Sequence, residues 1–177
     1  MLLGNLVLAL VVTALSSVEA HPTAANCTWK FIEQPLSHFA RGIASTYRQR
    51  LCVFDGYWTP NKGLPIFLYT GNESPVGEYV NNTGLIWDLA ATEHALVVFA
   101  EHRYFGESIP AIDGMENCLA HLSSQEALAD YASLANRMRR EWGGKDSAII
   151  AFGGSYGGML ASWMRILYPS AIDGGNN

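Results

Sequence analysis

Apolar positions in this chain follow two rhythms. Three short runs are apolar almost without interruption: Pro65-Ile66-Phe67-Leu68-Tyr69, Ala95-Leu96-Val97-Val98-Phe99-Ala100 and Ser147-Ala148-Ile149-Ile150-Ala151-Phe152. Runs of that length predict strands buried on both faces, as in a parallel sheet. Between the second and third, Ala127, Leu128, Tyr131, Leu134, Ala135, Met138 and Trp142 recur at spacings of three and four, which predicts a helix with one buried face. Ser123 and Glu126 form its capping-box signature, Arg137, Arg139 and Arg140 complement the carbonyl end of its dipole, and Gly143-Gly144 stops it. Residues 85–93 read as a second helix. Residues 156–168 read as a third, apolar on most sides through Met159, Leu160, Trp163, Met164, Ile166 and Leu167, until Pro169 ends it. Upstream, residues 46–54 are rich in strand formers and close on Asp55-Gly56; with the lead-in Trp29-Lys30-Phe31-Ile32 they predict early hairpin strands. The alternation of strands and helices predicts an α/β fold with a doubly wound parallel sheet, and no repeat or linker divides residues 21–177.

The first twenty residues break both rhythms. Residues 6–15 (LVLALVVTAL) carry no charge, and Val18-Glu19-Ala20 is a small-residue site suited to cleavage after Ala20. A signal peptide over 1–20, a mature start at His21 and entry into the secretory pathway are expected. No Lys or Arg precedes the apolar run, which departs from the usual signal pattern. The run is shorter than the roughly 20 residues of a membrane span, and no transmembrane segment is expected. In that compartment Asn26, Asn72 and Asn81 become N-glycosylation acceptors, Asn26 and Asn81 the more usable. Cys27, Cys52 and Cys118 allow one disulfide and a free thiol, or pairing outside the chain; the spacing does not choose. It matches no zinc signature, and no metal or cofactor is expected.

A net charge of −5 with 15% charged residues excludes a nucleic-acid binder driven by phosphate contacts. The candidate chemistry lies where the third apolar run meets the last helix, at Gly153-Gly154-Ser155-Tyr156-Gly157-Gly158. This is a G-x-S-x-G pentapeptide at a strand-to-helix turn, where a sharp reversal projects a serine Oγ from the strand end. Ser155 is the expected nucleophile, and the amide of Tyr156, at the positive end of the helix dipole, the expected oxyanion donor. A phosphate loop is the competing reading, but the P-loop Lys and the G-x-G-x-x-G spacing are both absent. A second oxyanion donor is expected from residues 69–73, with Gly71 allowing close backbone approach; a plain loop bearing a glycan on Asn72 competes with it. Residues 101–108 (EHRYFGES) sit at the ligand-binding edge of such a sheet. They are either functional or structural, the latter with Glu101 paired to Arg103 and with Tyr104 and Phe105 packing.

These strings together resemble a known family, the secreted and lysosomal serine peptidases that include prolylcarboxypeptidase, dipeptidyl peptidase II and thymus-specific serine protease. YTGNE at 69–73, FAEHRYFGES at 99–108, SSQEALADYA before the motif and GGSYGGMLASW at 153–163 carry the likeness, which runs from about Phe31 to Pro169. The resemblance implies an α/β-hydrolase fold, Ser155 as nucleophile, peptides with proline near the cut bond as substrates, a secreted or lysosomal destination, and a full-length form compatible with a homodimer.

The chain also departs from that family. After Pro169 it reads Ser170-Ala171-Ile172-Asp173-Gly174-Gly175-Asn176-Asn177, without the later strands, the cap domain, or the Asp and His of a triad. His21, His38, His94, His102 and His121 all precede Ser155, whereas in α/β-hydrolases the histidine follows the nucleophile. His102 lies two strands away, about 10 Å laterally, and is expected to be a structural or cleft residue. The expectation is therefore the N-terminal part of a serine exopeptidase that is inactive as 177 residues. An esterase or lipase, or a non-catalytic secreted product, are the alternatives. The strand of residues 149–152 is expected to present an unpaired edge.

Overall fold

A computed structural model describes residues 20–110 and 119–176. Residues 1–19, read above as signal peptide, and Cys118 lie outside the described residues. A six-stranded sheet runs in the order β1-β2-β4-β3-β5-β6, with β1 Thr28–Pro35, β2 Thr46–Phe54, β3 Ile66–Thr70, β4 Leu96–Ala100, β5 Ile149–Phe152 and β6 Gly174–Asn176. β1 and β2 form the expected antiparallel hairpin, β2 pairs antiparallel with β4, and the remaining pairings are parallel. Every residue of β3 and β4 is buried, which is why their runs show no alternation.

The period of two reappears in what each strand residue touches. Ile66, Leu68, Leu96, Val98, Ile149 and Ala151 face one layer, formed by α3 Ser124–Glu141 and α4 Ser155–Leu167. Phe67, Tyr69, Val97, Phe99 and Phe152 face the opposite layer, formed by α1 Val76–Asn82 and α2 Leu85–Glu93. Helices on both faces confirm the doubly wound arrangement. The helix α1 is not foreshadowed by periodicity: it has seven residues, of which only Val76 and Val80 are buried.

Cys27 is bonded to Cys52. This staple ties the segment before β1 to the buried middle of β2, and closing a loop of 25 residues restrains the unfolded chain by about 3.5 kcal/mol. Ahead of it, the Ala24 amide donates to Asn81 Oδ1 at 2.8 Å and His21 Nε2 lies 2.7 Å from Asp88 Oδ1. These contacts hold the lead-in against α1 and α2.

Two expectations need correction. The capping box of α3 is half formed: Ser123 Oγ accepts the Glu126 amide at 3.2 Å, but the Glu126 carboxylate turns away to accept from Ser37 Oγ and the His38 amide. Two donors in the loop after β1, the buried Ser37 hydroxyl and the His38 amide, outcompete one half-buried cap amide. The far edge of β5 is also covered. β6 pairs with it from Ile150 to Phe152, and at Ile149 the amide donates to Asp173 Oδ2 while the carbonyl accepts the Asp173 amide, both at 2.8 Å. Asp173 in turn takes Arg139 of α3 at 2.7 Å. Among the described residues no helix is long and apolar enough to cross a membrane.

Candidate active site

β5 ends at Phe152, two glycines follow, and α4 begins at Ser155, so the pentapeptide forms the sharp strand-to-helix turn its spacing requires. Ser155 has φ of 52°, a left-handed conformation that a non-glycine residue adopts only where its surroundings enforce it. The enforcement comes from β3. Thr70 Oγ1 lies 3.0 Å from the Phe152 carbonyl and 2.8 Å from the Gly157 carbonyl, and Asn72 Nδ2 donates to the Gly154 carbonyl at 2.8 Å. Thus side chains at the end of the neighbouring strand and in the loop just after it grip the turn before and after the serine. Gly157 completes the grip, because a Cβ there would collide with Asn72 Oδ1 and stand 2.5 Å from the Thr70 carbonyl. Ser155 is left exposed. Tyr156 is the second residue of α4, where a backbone amide has no intrahelical acceptor.

Two sequence expectations fail at this point. The Gly71 amide already donates to the Ala100 carbonyl at 3.0 Å, extending the β3–β4 ladder by one residue, and so is not aimed at the nucleophile. Its missing Cβ serves that pairing, since one would sit 2.5 Å from the same carbonyl. Asn72 is 6% exposed and its amide nitrogen donates to the Gly154 carbonyl, which counts against a glycan there. The residue read as the least usable glycan acceptor clamps the turn. Asn26 and Asn81 are exposed, and the contacts they make engage Oδ1 rather than the amide nitrogen: Asn26 Oδ1 accepts from the Thr23 amide, and Asn81 Oδ1 from Ala24.

The 101–108 string is held by separate anchors rather than by an internal ion pair. The Glu101 carboxylate accepts from the amides of Val76 and Glu107 and from Ser108 Oγ, folding the loop back on itself. Arg103 is fully buried and pairs with Asp130 of α3, Nε to Oδ2 and Nη2 to Oδ1, each at 2.7 Å. Its remaining donors reach the carbonyls of Pro35, Leu36 and His121. Burial works against the Arg103 charge, but Asp130 outweighs it and raises the guanidinium above its ordinary value. Asp130 also accepts from Tyr47 Oη at 2.6 Å and lies 2.8 Å from His38 Nε2.

His102 lies between these anchors and the turn. Its Nδ1 is 2.7 Å from the Arg103 carbonyl and its Nε2 is 3.1 Å from Tyr156 Oη. Burial lowers its pKa, opposed in part by that carbonyl, which favours the neutral ring. The committed histidine ring nitrogens point elsewhere than Ser155: His21 to Asp88, His38 to Asp130, His102 to Arg103 and Tyr156. Tyr156 is half-buried, its phenol raised by burial and by the nearby Glu73. Among the described residues no group of three or more His, Cys, Asp or Glu is placed to hold a metal ion.

Residues 34–176 match the family described as serine carboxypeptidase S28. The lysosomal Pro-X carboxypeptidase of Homo sapiens is 42% identical over 176 residues, which is 97% of this chain and 34% of that protein. The thymus-specific serine protease of Mus musculus is 38% identical over 144 residues, 80% of this chain and 28% of the relative. The chain therefore spans about a third of the length of the curated relatives it matches. Among solved structures, dipeptidyl peptidase 4 of Porphyromonas gingivalis aligns at TM-score 0.57 and 16% identity over 85% of this chain and 20% of its own. A thermostable carboxyl esterase of Bacillus coagulans aligns at 0.53 and 13% over 84% of this chain and 43% of its own. At such identities these two show the fold alone, that of an α/β-hydrolase, here its N-terminal part. Profile match, relatives and fold agree: the chain belongs to the serine carboxypeptidase S28 family of serine peptidases.

Proposed function

We propose that the chain carries the nucleophile half of a serine exopeptidase that cleaves peptides next to proline through an acyl-enzyme. The observation that supports this most is the left-handed Ser155, exposed at the tip of β5 and gripped by Thr70 and Asn72. In this reading Ser155 Oγ attacks the scissile carbonyl and the Tyr156 amide stabilises the resulting oxyanion. With the Gly71 amide engaged, a second donor from the same loop falls to a later amide, Asn72 or Glu73. The general base is supplied by polypeptide outside these residues, because all five histidines precede Ser155 and His102 is turned to Tyr156. Asn26 and Asn81 bear glycans in a chain routed through the secretory pathway to the lysosome or the exterior.

Losing the base of a triad costs up to about 10⁶ in kcat, so the purified 177-residue chain should hydrolyse neither a Pro-X nor an Xaa-Pro peptide measurably. Fused to the downstream portion of the human relative, it should gain an activity that disappears in Ser155→Ala. Turnover by the unfused chain that vanishes in Ser155→Ala would overturn the external-base reading. Activity in the fusion that survives the substitution would overturn the assignment of Ser155.

A further inference from the structure

Tyr156 carries two functions on one residue, a backbone amide in the first turn of α4 and a phenol ring in the cleft. The ring and His102 line a cavity of about 360 Å³ with Glu73, Phe105 and Leu122. His102 is 1% exposed and is held on two sides. Its ring stands edge-on to Phe105 at 5.5 Å between centroids, and it is 5.5 Å from the Tyr156 ring.

The partners of His102 settle its tautomer. A backbone carbonyl can only accept, so the 2.7 Å contact to Arg103 places the proton on Nδ1. A neutral imidazole with Nδ1–H presents a lone pair at Nε2, and the Tyr156 hydroxyl must be the donor across the 3.1 Å contact. The Arg103 carbonyl is itself fixed, since the Arg103 side chain is locked on Asp130 and three carbonyls. A continuous run of contacts thus leads from α3 through Arg103 and His102 to the residue after the nucleophile. The first turn of a helix is short of internal hydrogen bonds and frays most easily, so an external tether there has something to hold.

We propose that His102 is a positioning residue: by accepting the Tyr156 hydroxyl it fixes the phenol as a wall of the substrate cavity and steadies the first-turn amide of α4 as an oxyanion donor. The proposal rests on the reading of Ser155 as nucleophile. It gives His102 a role with no proton transfer, which fits a buried ring whose two nitrogens are both engaged, Nδ1 with the Arg103 carbonyl and Nε2 with Tyr156.

The test uses the full 177-residue chain, with ¹⁵N-labelled histidine and backbone and ¹³C-labelled tyrosine, observed by NMR. At pH 7 His102 should show a protonated Nδ1 and a lone-paired Nε2, and Tyr156→Phe should shift Nε2 while leaving Nδ1 in place. His102→Leu should move the Tyr156 Cζ resonance and drop the order parameter of the Tyr156 amide from the rigid range near 0.85 toward the flexible range below about 0.6. His102→Gln, whose side-chain oxygen can reach the Nε2 position, should restore both, and unshifted α3 amides in that variant certify its fold. An Nε2-protonated tautomer, an imidazolium at pH 7, or a Tyr156 amide equally rigid in His102→Leu would overturn the proposal. These signals are independent of hydrolysis. An inactive fusion with intact signals would count against Ser155 alone, whereas an active fusion with a reversed tautomer would count against His102 alone.

Discussion

On the β4 side of the sheet three buried carboxylates, Glu101, Glu126 and Asp130, meet donors drawn from the loop after β1, from β2, from α1 and from the 101–108 string. On the β5 side the backbone is equally well paired, through β6 and Asp173, but the outer face of α4 is not enclosed. Met159, Trp163, Ile166 and Leu167 form an apolar stripe at helical spacing along α4, with Ile166 71% exposed and Leu167 60%. The first region is held by charge and is closed. The second is held by main-chain hydrogen bonds and is open. The contrast separates two demands of folding: β6 together with Asp173 can meet a strand's hydrogen-bonding demand, while covering a helix face takes a whole packing layer. The nucleophile turn sits between the two, gripped from the closed side and carried by the open one.

The sharpest break of the closed region is Asp130→Ala. It removes the bidentate partner of the buried Arg103 guanidinium, leaving Glu126 at 3.5 Å, and the acceptor of Tyr47, and losing one partner of such a pair costs about 3–5 kcal/mol. A fall of that size in urea-unfolding free energy is expected; a loss under 1 kcal/mol would mean that the network adds little. Next in size is Gly157→Ala at the junction. The new methyl group meets Asn72 Oδ1 and the Thr70 carbonyl, and overpacking of this kind costs about 1–3 kcal/mol. Thermal melts should show the loss, and the Asn72 side-chain amide resonances should shift with it.

Acid probes the seam between β5 and β6. Burial would raise the Asp173 carboxyl, but the Ile149 amide and the Arg139 guanidinium outweigh it and hold it below its ordinary 3.8. A carboxyl lowered in the folded state stabilises fully above the unfolded value and loses that contribution as pH falls through the folded one. The advantage of the wild type over Asp173→Asn should therefore be constant near neutrality and shrink below about pH 4. The side chain is half exposed, so the advantage should stay under about 1 kcal/mol in urea titrations run across that range. The smallest effect is expected on the open face. Ile166→Lys should change stability by less than about 0.5 kcal/mol while reducing hydrophobic-dye binding and aggregation. A large destabilisation there would show that the stripe is covered in solution.

The parts of this architecture that were legible in the sequence are those in which neighbours along the chain do the same job. Uninterrupted apolar runs gave β3, β4 and β5, the three-and-four spacing gave α3, and a motif spanning one turn gave the Ser155 geometry. The closed network was not legible, because its partners come from separate segments. Arg103 and Asp130 are 27 positions apart, and Glu126 and Asp130 look like solvent-facing charges beside an apolar stripe until β1, β2 and the 101–108 loop close over them. Asn72 was hidden differently. Its tripeptide matches a modification signal, and only the packing of β3 against β5 shows that its amide is already spent.

The grip on the nucleophile turn also carries an order in time. Thr70 and Asn72 precede the groups they hold by 82 to 87 positions. At roughly 5–20 residues per second a ribosome makes that stretch in about 4–17 s. The template for the turn is synthesised first and the serine is delivered to it afterwards. A variant that disturbs Asn72 should thus reveal itself in nascent chains as a late assembly defect, with the earlier strands already protected and the last helix still searching for its seat.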